Sequence, residues 1–262
     1  MGSNPHYYPK LNTVRRLNNA MNYEAVEETI KAGYRAVSSQ YRRDDEIEVT
    51  TANHQRICRT LQRICASFSH PIKALEAGCG TGRYFHCLTN VEELLGIDIS
   101  EEMLRAAETP VRQELISVKK IVRIRGNIYL SSFEPGLFDF IYSLGMFGNG
   151  CPVTVELCNK LHDWLAPGGK LYFNTVDFAG LPFSYRARRQ ARQFVYPMLG
   201  RRLQAVLDKR EARHPSFSMD RRELESVMQR TKFSAFQIMS HVCESPLWHG
   251  RHLECIASKA AK

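Results

Sequence analysis

An α/β fold with a doubly wound, mostly parallel sheet is predicted by three observations. Short apolar runs recur through the middle of the chain. Segments with helical spacing separate most of them. The first run stops at three alternating glycines, Gly78, Gly80 and Gly82. Alternation of this kind lays parallel strands side by side with helices on both faces.

The elements follow in order. Val14, Leu17, Met21, Val26, Ile30 and Tyr34 give residues 13–45 helical spacing, and residues 50–67 read as a second helix ending near Ser69-His70-Pro71. Ile72–Ala77 is a short apolar run of the kind a buried parallel strand shows. Further strands are expected at 94–98, 121–124, 138–142 and 170–174, with helices over 82–90, 101–109 and 153–165. A basic segment, 178–219, then interrupts the alternation and reads as one or two amphipathic helices. Asp220, with Glu223 three residues on, resembles a capping box. Two strands, 234–243 and 251–258, close the chain and bring the number to seven. The expected organisation is an N-terminal helical lid (1–70) on a core (71–262) that carries the 178–219 cap.

Composition excludes several classes. The chain has 262 residues, 44% hydrophobic and 24% charged, as an ordinary globular domain does. It contains no apolar run of about 18 residues, so no membrane span is expected. Met1–His6 has neither the apolar core of a secretory leader nor the myristoylation pattern, so a cytoplasmic location is expected. None of the eight cysteines forms a C-x-x-C pair. No metal site is therefore suggested, and core packing is the expected use of Cys58/Cys65 and Cys151/Cys158. The net charge is +9, and nine basic against two acidic residues place +7 of it in the 178–219 segment.

Glu76-Ala77-Gly78-Cys79-Gly80-Thr81-Gly82 follows the first strand. Without a β-carbon, glycine lets backbone turn sharply and approach a ligand closely. Asp98 closes the second strand, where a carboxylate can accept two hydrogen bonds from a ribose diol. A dinucleotide site wants G-x-G-x-x-G, but Arg83 holds the sixth place here. Glu76 beside the loop would repel a pyrophosphate and favour an α-ammonium group. The loop therefore suits a cofactor without phosphates.

From Ile72 to Asp177, and more weakly from Ser218 to Ser258, the chain resembles the class I S-adenosylmethionine-dependent methyltransferases. The resemblance rests on that loop, on Leu95–Leu104, on Arg125-Gly126-Asn127-Ile128, on Phe138–Ser143 and on Leu165-Ala166-Pro167-Gly168-Gly169-Lys170-Leu171, in the family's order. It implies a Rossmann-like sheet whose last strand is antiparallel. It implies S-adenosylmethionine as cofactor and S-adenosylhomocysteine as product. Gly78, Gly80 and Gly82 would line the methionine part and Asp98 would bind the ribose. Asn127 would reach the adenine amine, with Ile99 and Ile128 near the ring and Ser143 and Leu144 at the strand end. Asn127 stands where Asp is common, and its amide oxygen still accepts. Tyr34 and Tyr41 resemble a tyrosine-rich segment that folds over the cofactor.

Methyl transfer from a sulfonium needs alignment more than acid–base help. His249, His252 and Asp177 are the candidates for a base, should the acceptor need one. Met146 and Phe147 offer an apolar wall, and Tyr185, Arg186 and Arg189 a cationic and aromatic lining for an anionic or aromatic small molecule. The fourth-strand exit lacks the Asp/Asn-Pro-Pro-aromatic motif of enzymes that methylate DNA bases, which speaks against nucleic acid. The alternatives are a methyltransferase for RNA or protein, a non-catalytic cofactor-binding scaffold, and an NAD-dependent dehydrogenase. Either a monomer or a homodimer is compatible with the sequence.

Overall fold

The computed structural model describes residues 40–148, 151–181, 183, 187, 217–247 and 249–261. Tyr34, Tyr185, Arg186, Arg189 and most of the basic segment lie outside them. Seven strands form one sheet: β1 (Ile72–Ala77), β2 (Val91–Asp98), β3 (Lys120–Arg125), β4 (Phe138–Ser143), β5 (Leu165–Val176), β6 (Ala235–Glu244) and β7 (His249–Ser258). Their order is β3-β2-β1-β4-β5-β7-β6, parallel throughout except for β7, which runs antiparallel to both neighbours. The fold is Rossmann-like, and the antiparallel strand is the one expected. The chain order reverses between β1 and β4, which is where such sheets hold ligands, at the carboxyl ends of their strands.

The described part of α1 covers 40–48; α2 is Ala52–Ala66, α3 Glu101–Ala106, α4 Val155–Trp164 and α5 Arg221–Met228. Each boundary has a local cause. Thr51, Ser100 and Thr154 accept a backbone N–H at the starts of α2, α3 and α4. Asp220 and Glu223 form the capping box on α5 that the sequence shows.

One face of the sheet packs against α4 and α5 through Leu157, Leu161, Leu224 and Met228. The other face packs against α2 through Ile57, Leu61 and Ile64. A buried polar link reinforces that second face: Arg56 Nη2 lies 2.5 Å from Glu254 Oε1, and the Tyr172 hydroxyl donates to Glu254 at 2.9 Å. Removing one partner of such a pair would strand the other charge in the interior.

The helix expected over 82–90 does not form. A single 3₁₀ turn, Phe85–Cys87, stands there, closed by bonds such as Cys87 N–H to Tyr84 O at 3.0 Å. Tyr84, Phe85, Cys87 and Leu88 are all buried, which leaves only Arg83 and His86, half-buried, on the outer side of the turn. Positive φ at Gly82 and Asn90 brackets it. The cysteines differ from expectation as well, because Cys58 and Cys87 are joined as a disulfide.

Candidate active site

The glycine loop is built as its residue types require. Gly78, Gly80 and Gly82 all adopt positive φ, at 74°, 51° and 77°. A β-carbon on Gly78 would lie 2.7 Å from Met146 Sδ, so Met146 packs directly over the loop. At Gly80 the same position is open, with nothing within 4 Å. The loop is tied to β2 by Gly78 N–H and Cys79 N–H, both donating to Ile97 O.

Asp98 ends β2 beside this opening. Its carboxylate accepts from Gly80 N–H and Ser100 N–H, each at 2.9 Å. One oxygen takes each bond, and a carboxylate's four lone pairs leave acceptor capacity for a ligand hydroxyl. Burial raises the Asp98 pKa, and the N–H groups of Ser100, Gly80 and Ile99 oppose that rise. The loop and the ribose-type acid are thus one hydrogen-bonded unit.

Glu76 sits differently from the sequence reading. It is 1% exposed and points along the sheet, where the Tyr142 hydroxyl donates to its Oε2 at 2.8 Å. The cause is the register, since Glu76 pairs with Tyr142 across β1 and β4. Burial pushes its carboxyl well above the usual range. The acid is held within the sheet by Tyr142 and is not displayed at the rim of the loop.

The remaining cofactor candidates flank the same strand ends. Asn127 Oδ1 accepts from Tyr129 N–H at 3.0 Å, which fixes the turn after β3. Ile128 and Leu144 are buried, and the Ser143 hydroxyl donates to Ala77 O at 2.8 Å. Tyr41 on α1 is half-buried and feels Asp98 electrostatically. Burial, then Asp44, Asp45 and Asp98, raise its pKa against the pull of Arg83.

Two substrate-wall residues part company. Met146 lies over the loop, but Phe147 is 1% exposed and packs edge-on to Phe173 in the core, so it offers no wall. Among the candidate bases, Asp177 caps the turn after β5 through Ala179 N–H and lies 3.5 Å from Arg251 Nε. His249 is exposed at the start of β7. His252 pairs with Val176 at the carboxyl end of β5, and its Nδ1 lies 3.1 Å from Cys243 Sγ. Burial lowers its pKa to about 4, against the charge of Glu254, so it is a neutral imidazole at physiological pH.

Three residues of this region escaped the sequence. Asp45, fully buried on α1, accepts from the Thr81 hydroxyl and from Arg83 Nε. Burial alone would lower the Arg83 pKa, yet the adjoining Asp45 holds it above its ordinary value. Glu48, one turn further on, accepts from the Ser245 hydroxyl in the loop between β6 and β7. Asn174, buried on β5, accepts Gly145 N–H at 2.7 Å. The signal for Asp45 was a buried-position acid in a helical run, which spacing alone does not separate from a solvated one.

The chain matches the model of a family described as "Methyltransferase domain" over residues 74–169, the stretch that holds the loop, Asp98 and the strand ends. That match and the relatives below support an S-adenosylmethionine-dependent methyltransferase of class I. S-adenosylmethionine is its methyl donor. The methyltransferase is 24% identical over 221 residues to a demethylmenaquinone methyltransferase of Lactococcus lactis, covering 82% of this chain and 86% of that one. It is 31% identical over 108 residues to a ubiquinone biosynthesis O-methyltransferase of Methylococcus capsulatus, covering 40% and 44%. Among solved structures, magnesium protoporphyrin IX methyltransferase from Synechocystis with bound S-adenosylhomocysteine shares the fold, with TM-score 0.56, 13% identity and coverage of 89% and 100%. A Haemonchus contortus phosphoethanolamine N-methyltransferase gives TM-score 0.55 at 14% identity, and there 78% of this chain spans about half, 52%, of that one. Among the described residues, no helix is long and apolar enough to cross a membrane.

Proposed function

We propose that this methyltransferase acts on O, N or C of a small aromatic or anionic acceptor, with the quinone-type ring of its relatives as the first class to try. The observation that carries the reading is the position of α1. Its last turn is tied twice, to the glycine loop by Asp45 and to the β6–β7 loop by Glu48. A helix tied to both loops narrows access at the carboxyl edge in this reading, and a narrowed site suits a small molecule better than a polymer.

In this reading Gly78, Gly80 and Gly82 take the methionine part, Asp98 the ribose, and Asn127, Ile99 and Ile128 the adenine. Tyr41 closes from α1. Met146 presents an apolar surface next to the loop where a ring would lie. The cofactor supplies an activated methyl group, and the chain aligns the acceptor atom and excludes water, the source of effective molarities of about 10⁵–10⁸ M. His252, with its low pKa, is a weak base. Its neutrality fits an acceptor whose nucleophilic atom needs little help in losing a proton. The names of the relatives support the small-molecule class.

Calorimetric titration with S-adenosylmethionine, S-adenosylhomocysteine and NAD, beside Asp98→Ala, tests the site assignments. Micromolar binding of the sulfur compounds, lost in Asp98→Ala, is expected. A folded Asp98→Ala protein that binds them as the parent does would remove Asp98 from the ribose. Incubation with demethylated quinones or small phenols should yield a product one methyl heavier. Labelled RNA or protein in place of a small product would overturn the acceptor class.

A further inference from the structure

A cluster that cofactor binding does not use lies behind the glycine loop. His54 and Cys58 are four residues apart on α2 and therefore share one face. His86 and Cys87 sit on the 3₁₀ turn that replaces the expected helix. Packing of α2 against this turn brings the four side chains together, and their donor atoms all lie within 4.8 Å of one another. The geometry points to a tetrahedral Cys₂His₂ site for a zinc-class divalent cation, formed by His54, Cys58, His86 and Cys87 when the two cysteines are reduced.

The nitrogen–nitrogen and nitrogen–sulfur distances suit the metal, and the two sulfurs, joined here, must part on reduction to take their places. Zinc holds nitrogen at about 2.0 Å and thiolate sulfur at about 2.3 Å, so a tetrahedron separates two nitrogens by roughly 3.3 Å and nitrogen from sulfur by roughly 3.6 Å. The two imidazole Nε2 atoms here are 3.3 Å apart. The nitrogen–sulfur separations are 3.2 Å for His54–Cys58, 3.7 Å for His54–Cys87 and 3.5 Å for His86–Cys87. Two imidazole nitrogens face to face need a proton or a cation between them. Both Nδ1 atoms are buried, and neither meets a hydrogen-bond partner in good geometry among the described residues. His54 and Cys87 are themselves buried, at 3% and 1% exposure.

The site has a structural use. The segment after the loop lacks an α-helix to stiffen it, and its link to α2 runs through these side chains. A metal there would fix the outer end of the cofactor loop, as structural zinc does where local secondary structure is too short to hold itself. The disulfide of this structure and the metal site are alternative states of the same sulfurs. Metal binding takes the dithiol, and each thiol gives up its proton, so two protons leave per cation bound.

The test is a Co²⁺ titration of the full chain, reduced by a phosphine under anaerobic conditions and freed of metal. The expected result is one equivalent bound, with the near-ultraviolet sulfur-to-cobalt band and the intense visible bands of a tetrahedral thiolate site. Zn²⁺ should displace the cobalt one for one. Cys58→Ser should weaken binding by more than the about 10–100-fold typical of outer-shell changes, whereas Cys151→Ser should leave it unaltered. His86→Gln, on the other element, serves if Cys58→Ser does not fold. A reduced, folded chain that binds no Co²⁺, or binds it with weak octahedral bands, overturns the site. So does equal affinity in the parent and in Cys58→Ser or His86→Gln. Neither readout depends on methyl transfer.

Discussion

Asp45→Asn is expected to release α1 from the glycine loop. Asparagine keeps the shape and can still accept from the Thr81 hydroxyl, but it removes the charge facing Arg83. Breaking a buried pair from one side costs about 3–5 kcal/mol. The Asp45 side chain is fully buried, and that of Arg83 is 24% exposed, so water recovers part of the loss. About 3 kcal/mol is therefore expected, or roughly 100-fold in an equilibrium constant. Lost globally, that amount would lower Tm by about 6–12 °C in a domain of this size. The described contacts of α1 with the rest of the chain run mainly through polar side chains, so it can open locally before the sheet unfolds. Tm should fall by less than the global figure, while S-adenosylmethionine affinity falls up to about 100-fold and amide exchange across 41–48 accelerates. The assay is calorimetric binding with hydrogen exchange, closed by a double-mutant cycle with Arg83→Met. The double variant should recover at least about 1 kcal/mol relative to additivity. Coupling below about 0.5 kcal/mol, or parental affinity and exchange in Asp45→Asn, would refute the latch.

Two outcomes concern the glycine loop and a third concerns pH. Gly80→Ala adds a carbon to open space and bears only the left-handed backbone cost of about 1–2 kcal/mol, so its loss of cofactor affinity should outrun its loss of stability. Gly78→Ala also drives a carbon into Met146 and should melt lower than Gly80→Ala; equal melting temperatures would argue against that packing. For His252, burial holds the folded pKa near 4 against 6.5 in the unfolded chain. The unfolded state then binds more protons between those values, so this contribution is complete above about pH 6.5 and is lost as pH falls to 4, on the order of 3 kcal/mol in all. Denaturant midpoints from pH 7 to pH 4 should fall less in His252→Gln than in the parent, and parallel curves would remove His252 as a source.

Local pattern carried the sheet, because each parallel strand is a short apolar run and each boundary has its own cap or glycine. It carried the cofactor loop too: positive φ at Gly78, Gly80 and Gly82 belongs to neighbouring residues, and Asp98 lies at the next strand end, 18 positions from the Gly80 N–H it accepts. Periodicity misjudged residues 82–90 because Arg83, His86 and Asn90 keep helical spacing while the chain between them is closed as a single 3₁₀ turn. Pattern misjudged Phe147 as well, since an aromatic at a strand exit reads alike whether it lines a pocket or fills the core. What only the tertiary structure decided were relations between distant residues. Asp45 meets Arg83 across 38 positions, and Glu254 meets Arg56 across 198. The pairing of β1 with β4 turned Glu76 toward Tyr142. His54 and Cys58 read as one helix face, and the packing of α2 on the turn at Phe85–Cys87 placed two more donors opposite them. Sequence spacing reports which residues share a face, whereas charge pairing and metal geometry depend on which faces meet.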